Sequence, residues 1–343
     1  MRKSYLLVAA VLLVAASCQK NDNASSVEGI KYNPIDVVLS AAIEDVDTKV
    51  GYTEDANALK ATWKANDKIS LVALDADGKA LSNDVFETTT AGASAKFIGT
   101  YSNPKGAVMV SVFYPALTEG KGTEAEPWQS KKREGTGLAD PESLLHDVVK
   151  GKPYITVRAD YQLQRSNGDM SNVDEAVVMH GQITDFSALV AGYVNVTLKS
   201  ICYVVKVTAK VPSGCDHLTK IELNTSNSTS STPRMGISGW TRLDDRFGIS
   251  YGSAPRYCEV GLGATFRSAG SSLGTGVSPD GSGNIVAYII GYTGEPRVLP
   301  SGTVLAIEAG YGTVPDKFNA TKTLTKDISL EPGKMYRVNV TLN

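Results

Sequence analysis

The fold class predicted is all-β, as two consecutive antiparallel β-sandwich domains behind a leader. Three observations predict it. Ile35 to Ile43 and Tyr336 to Leu342 alternate apolar and polar residues with a period of two, as half-buried strands do. No stretch beyond the first eighteen residues sustains the 3.6-residue apolar period of a helix. The chain, 343 residues long, also exceeds what one hydrophobic core usually serves.

Met1 to Cys18 reads as a lipoprotein signal. Arg2 and Lys3 make a basic start, Leu6 to Ala16 form an apolar run too short to span a bilayer, and Ala15-Ala16-Ser17 supply the small residues a signal peptidase requires. Residues 1–17 are therefore expected to be removed and Cys18 to become the lipidated first residue. Two or more acyl chains there would anchor the protein stably, where one chain is marginal. Residues 18–32 are polar and read as a tether.

The first domain is expected over 33–188. After the strand at Ile35 to Ile43 comes an exposed loop from Glu44 to Thr62 containing Lys49. The strand Ile69 to Leu74 then closes on Asp77-Gly78, a favoured hairpin turn. Ser94 to Tyr101, Ala107 to Tyr114 and Tyr154 to Leu163 follow as strands. Leu117 to Asp140, which carries Lys131-Lys132-Arg133, is a long loop of the kind that is functional or disordered. The pattern pauses around Gly181 to Gly192, and the second domain is expected over 189–343. It opens on the longest β-branched run, Val194 to Val211, whose parity slips between Leu198 and Ile201 as at a bulge. Asn224 to Pro233 and Ser268 to Asn284 read as loops. Asn284 to Tyr292, Thr303 to Ala309, Thr321 to Leu330 and the terminal Tyr336 to Leu342 complete the strands.

Thirty-four basic and thirty-six acidic residues give a net charge of −2, which offers no footprint for nucleic acid. Besides Cys18 there are Cys202, Cys215 and Cys258, so at most one disulfide can form. Cys215 in a turn could reach Cys258, and Cys202 reads as a buried apolar residue. Gly248-Ile249-Ser250-Tyr251-Gly252 matches the G-x-S-x-G nucleophile motif, but no histidine follows His217 to take the serine proton. His146, His180 and His217 lack metal-ligand spacing, Asp244-Asp245 sit in a polar turn, and no cofactor is called for. The chain does not read as an enzyme.

Both terminal strands have one clean apolar face. A first strand tied to the body by a long exposed loop can be withdrawn, leaving a groove that another chain's strand could fill. The same pattern also fits ordinary sheet strands of a monomer.

Several short motifs occur in a telling order: the lipoprotein start, Thr-Lys followed by Ala61-Thr62-Trp63-Lys64-Ala65-Asn66-Asp67-Lys68-Ile69, Ala95-Lys96-Phe97-Ile98-Gly99, Val112-Phe113-Tyr114-Pro115, and the terminal Pro-Gly-Lys-Met-Tyr-Arg-Val-Asn-Val. In this order they resemble the fimbrillin family of Bacteroidales, and Gln19-Lys20-Asn21-Asp22 resembles the surface-export tag of those bacteria. The resemblance implies transthyretin-like sandwiches in a lipoprotein of the outer membrane and cell surface. It implies a fimbrial subunit that polymerises by donor-strand exchange, with adhesion and biofilm as its role. Carried onto this chain, the displaced strand is Ile35, Val37, Leu39, Ala41 and Ile43. The donor is Tyr336, Val338, Val340 and Leu342, and the cut falls at Lys49. Its partners would be other fimbrial subunits or further copies of itself. No arginine lies between Arg2 and Arg133, so either a lysine-tolerant protease acts or the strand is kept and the protein stays anchored. The alternative is a glycan-binding surface lipoprotein of a polysaccharide-utilisation system. Its fifteen tyrosines and the loop residues Trp128 and Trp240 would then stack on sugars. A host or glycan receptor is left open.

Overall fold

A computed structural model describes residues 33–43, 53–55, 58–60, 62–77, 80–119, 129–130, 154–157, 162–170, 172–173, 177–225, 239–242, 249–250, 257–263, 275–292, 296–311 and 316–343. All of them belong to one unit, Tyr32–Asn343, and the other, Met1–Lys31, lies outside them. The strands in chain order are first β1 (Ile35–Ile43), β2 (Thr53–Asp55), β3 (Ala58–Lys60), β4 (Lys68–Leu74), β5 (Ala80–Thr88), β6 (Ser94–Tyr101), β7 (Met109–Tyr114), β8 (Leu117–Glu119), β9 (Gln129–Ser130), β10 (Tyr154–Val157), β11 (Gln162–Gln164), β12 (Met179–Ile183) and β13 (Tyr193–Ser200). Then come β14 (Cys202–Lys210), β15 (Lys220–Thr225), β16 (Gly239–Arg242), β17 (Ile249–Ser250), β18 (Tyr257–Leu262), β19 (Asn284–Tyr292), β20 (Arg297–Leu299), β21 (Val304–Tyr311), β22 (Asp316–Thr323), β23 (Ile328–Leu330) and β24 (Met335–Thr341). The protein is all-β, as expected.

Seven strands close into a barrel in the order β1-β13-β12-β7-β4-β5-β6, so the first half is a hydrogen-bonded ring and not two open sheets. β4 and β7 are buried on both faces, which accounts for their unbroken apolar runs. The later strands form a five-stranded sheet, β11-β18-β15-β21-β22, and a three-stranded sheet, β19-β14-β24. Ile221, Leu223 and Ile307 from the first and Val205, Val207 and Ile289 from the second belong to the same apolar core. Pairing is mostly antiparallel, but β1 runs parallel to β13, and β24 parallel to β14, which corrects the expectation of purely antiparallel sheets.

Three expected strands are divided. The run Val194 to Val211 has no bulge: it leaves the barrel at Ile201 and continues as β14 in a different sheet, so the parity slip marks a change of sheet. Tyr154 to Leu163 splits into β10 and β11, also in different sheets, and Thr321 to Leu330 into β22 and β23. Within the pause around Gly181 to Gly192 sits a short helix, α1 (Phe186–Val190). The Asp185 carboxylate caps it, accepting from the N–H groups of Ser187 at 3.0 Å and Ala188 at 3.2 Å.

One edge is closed in an unusual way. The N–H and C=O groups of Val286, Tyr288 and Ile290 face away from β14, and amide side chains take them up. Gln162 accepts from Ile290 N and donates to Ile290 O, both at 2.7 Å. Gln164 accepts from Tyr288 N at 2.9 Å and donates to Val286 O at 2.7 Å. Asn167 accepts from Val286 N and Asn172 donates to Tyr288 O, each at 2.7 Å. A row of side chains thus stands in for a neighbouring strand and removes the hazard of an open edge.

Candidate functional site: the slot of the first strand

β1 lies between β6, antiparallel from Ile35 opposite Tyr101 to Ala42 opposite Ser94, and β13, parallel from Val38 beside Tyr193 to Ile43 beside Leu198. Its alternation directs Val37, Leu39 and Ala41 inward, where all three are buried, while Ile35 and Ile43 at the ends are half-buried. The walls of the slot are Tyr101, Gly99, Phe97 and Ala95 on one side and Val194, Val196 and Leu198 on the other. Burying a valine or leucine side chain contributes about 1.5–3 kcal/mol, so this face holds the strand strongly. Gly99 is glycine for a packing reason, since a Cβ there would fall 2.7 Å from the ring of Phe86. Outside, Asp36 accepts from the Thr100 hydroxyl at 2.8 Å, and Val38 N donates to Gly192 O at 2.9 Å. At the mouth beside Ile35, burial, and after it the Asp84 carboxylate, push the Tyr101 phenol up to about 12.

Neither neighbour of β1 is joined to it by a turn. β6 begins some fifty residues later and β13 lies at the far end of the barrel sequence, so the other barrel strands are connected without it. The displaced-strand residues are thus brought together in one slot.

Trp63, marked in the sequence only as part of the Ala61 to Ile69 motif, is a slot residue. It is fully buried and donates from Nε1 to Ala41 O at 3.2 Å. Its ring meets Phe97 edge-on at 4.9 Å and Tyr114 at 5.3 Å. Its backbone is bonded both ways to Gly92, at 2.8 and 3.0 Å. The available signal was a lone tryptophan in an otherwise polar Ala-Thr-Trp-Lys-Ala-Asn-Asp-Lys segment.

Of the proposed donor residues, Tyr336, Val338 and Val340 sit in β24 and Leu342 follows directly after it. Tyr336, Val338 and Val340 lie beside Val205, Val207 and Ala209 of β14; Leu342 is buried and the two valines are half-buried. Tyr336 donates from its hydroxyl to Ser329 O at 2.5 Å and accepts from Glu331 N at 2.8 Å, and burial raises its pKa. β24 therefore lies in its own sheet, where β14 is its one paired strand among the described residues.

Cys18, Lys49, Trp128 and His146 lie outside the described residues. Trp240 is in β16, opposite Thr156 and Ser250. Ser250 therefore belongs to a strand pair and not to the strand-to-helix turn that a nucleophile elbow needs. His217 Nδ1 is 2.6 Å from Asp216 Oδ1. His180 stacks at 4.9 Å on Phe113, and burial pushes its pKa down to about 3, which keeps it neutral. None of Cys202, Cys215 and Cys258 is in a disulfide, so the Cys215–Cys258 bridge that the spacing allowed is not formed. Burial pushes the Cys202 thiol up to about 12, as suits an inert core residue. Among the described residues no three His, Cys, Asp or Glu side chains converge for a metal, and no helix is long and apolar enough to cross a membrane.

No known family profile and no curated protein sequence matches the chain. Among solved structures, it is similar to a candidate cell adhesion protein from Bacteroides ovatus, at TM-score 0.43 and 13% identity over 90% of this chain and 92% of that one. It is also similar to the fimbrial anchor protein Mfa2 from Porphyromonas gingivalis, at TM-score 0.38 and 11% identity over 90% of each chain. A fimbrial assembly protein from Parabacteroides distasonis aligns at TM-score 0.36 and 13% identity, over 89% of this chain and 90% of that one.

Proposed function

We propose that this protein is a structural subunit of a surface fimbria in which β1 is a replaceable strand. The observation that carries the reading is the placement of β1. It is the first described strand, it fills a slot inside a closed barrel, and it is bonded on both edges to strands far from it in sequence. A cut between Ile43 and Thr53, as at Lys49, would leave every other barrel strand in one continuous chain. Withdrawal would expose Phe97, Val194 and Val196 along two unpaired backbone edges, which is the template strand addition requires. β24 supports the reading from the other end, as an alternating strand with one paired neighbour.

In this reading residues 1–17 are the leader, Cys18 carries lipid to the outer membrane, and 18–32 is the tether. The domains are those expected from the sequence, 33–188 and 189–343, although β13 of the second range completes the barrel of the first. The protein acts without a cofactor, through other subunits or further copies of itself, in adhesion.

The test is exchange. With a specific-protease site placed after Lys49 and then cut, excess labelled peptide of residues 33–43 is expected to replace β1 in the folded protein, read as bound label in native mass spectra. Retention of the original strand up to global unfolding would contradict the proposal.

A further inference from the structure

The slot is not uniform along its length. At the levels of Val37 and Leu39 it accepts branched side chains, but at the next inward level the row across the sheet is Ala95, Ala41, Val196, and both alanines are buried. Buried interiors are close-packed, so adjacent alanines call for a large neighbour to fill the space they leave. Trp63 is that neighbour: it is fully buried in the same core, with Nε1 on Ala41 O and its ring against Phe97, which lies opposite Leu39. Besides that bond to β1, it is held by residues outside β1. Gly92 holds its backbone from both sides, Tyr114 packs on its ring, and Lys64 N donates to Asp67 Oδ2 at 2.7 Å in the turn that follows.

We infer that Trp63 is a register stop: any strand filling the slot must carry a residue no larger than alanine at the Ala41 level, two positions beyond an apolar residue at the Leu39 level. The identity of the occupant rests on the exchange reading above, and the steric rule does not. Applied to a second copy of this chain, the rule selects one register for β24. Val338, Val340 and Leu342 fall at the levels of Ile35, Val37 and Leu39, the last two identical in residue type and the first one methylene smaller. Sliding two residues further would drive Leu342 into the indole, and a one-residue slip would turn the apolar face outward. The partner strand thus has the pattern apolar-x-apolar-x-apolar, with nothing larger than alanine at the next inward position.

A double-mutant cycle in the full chain decides the rule. Ala41→Leu is expected to lower the Tm by about 5–10 °C, and the same substitution in a Trp63→Leu background is expected to cost less than half as much. Ala41→Val, one step smaller, keeps the cycle measurable should Ala41→Leu not fold. Equal losses in both backgrounds would overturn the stop. In the cut protein, the 33–43 peptide carrying leucine at position 41 is expected to lose to its alanine parent at a hundredfold excess, and equal competition would also overturn the stop. If no peptide exchanges at all, the exchange reading falls, while the cycle still decides the steric rule.

Discussion

Gln162→Leu is expected to destabilise the protein by about 2–5 kcal/mol, measured as a fall in the urea midpoint with little change in slope. The side chain fits the site by shape, so the loss is chiefly electrostatic. Gln162 is buried and makes a reciprocal pair of 2.7 Å bonds with the N–H and C=O of Ile290. Leucine would leave both backbone groups without that partner in a dry interior, and each such group costs about 1–3 kcal/mol. Gln164, Asn167 and Asn172 would still cover Val286 and Tyr288, so the break is local. A variant as stable as the parent would show that the amide row has no part in closing the edge.

Gly291→Ala is expected to cost about 3 kcal/mol or more, the upper end for overpacking a well-filled core. Gly291 lies directly across from Tyr203 in the β14–β19 pair, and a Cβ there would overlap the Tyr203 ring itself. The ring has little room to yield. It is buried, and it packs edge-on against Tyr336 at 6.2 Å, whose hydroxyl is held by Ser329 and Glu331. Tyr203→Leu alone loses the ring, but added to Gly291→Ala it is expected to recover part of the loss, so the two substitutions are less than additive. Simple additivity would mean that the glycine is there for another reason. An aromatic ring laid across a strand glycine recurs at Phe86 and Gly99, beside the β1 slot.

What could be read from the residues was whatever rests on local alternation. β1 and β6 fall where they are expected, and β24 within a residue, because one face of each is buried and the other is not. Changes of sheet could not be read this way. Leu198, Ile201 and Val204 are all buried, yet the chain crosses between sheets among them, and an apolar run carries no mark of which sheet buries it. The parallel pairings of β1 with β13 and of β24 with β14 join residues more than a hundred positions apart, beyond any local pattern. Gln162 falls inside the expected strand Tyr154 to Leu163 and Gln164 one residue past it, and only the tertiary fold turns them onto β19. α1 left one local trace, Asp185 two residues before Ser187, which is an N-cap signal in a segment that otherwise read as a pause. Trp63 was visible as a motif residue, but its role depends on the carbonyl of Ala41 and the ring of Phe97, which only the tertiary fold brings to it.

The measurement closest to the central claim is the mass and N-terminal sequence of the protein recovered from its native cell surface, together with its state of assembly. The account predicts lipid-free chains beginning at Val50, joined to other subunits, with residues 33–43 gone and another chain's strand in their place. Solitary monomers beginning at a lipid-bearing Cys18, with β1 still in its slot and no fimbrial protein attached, would contradict it.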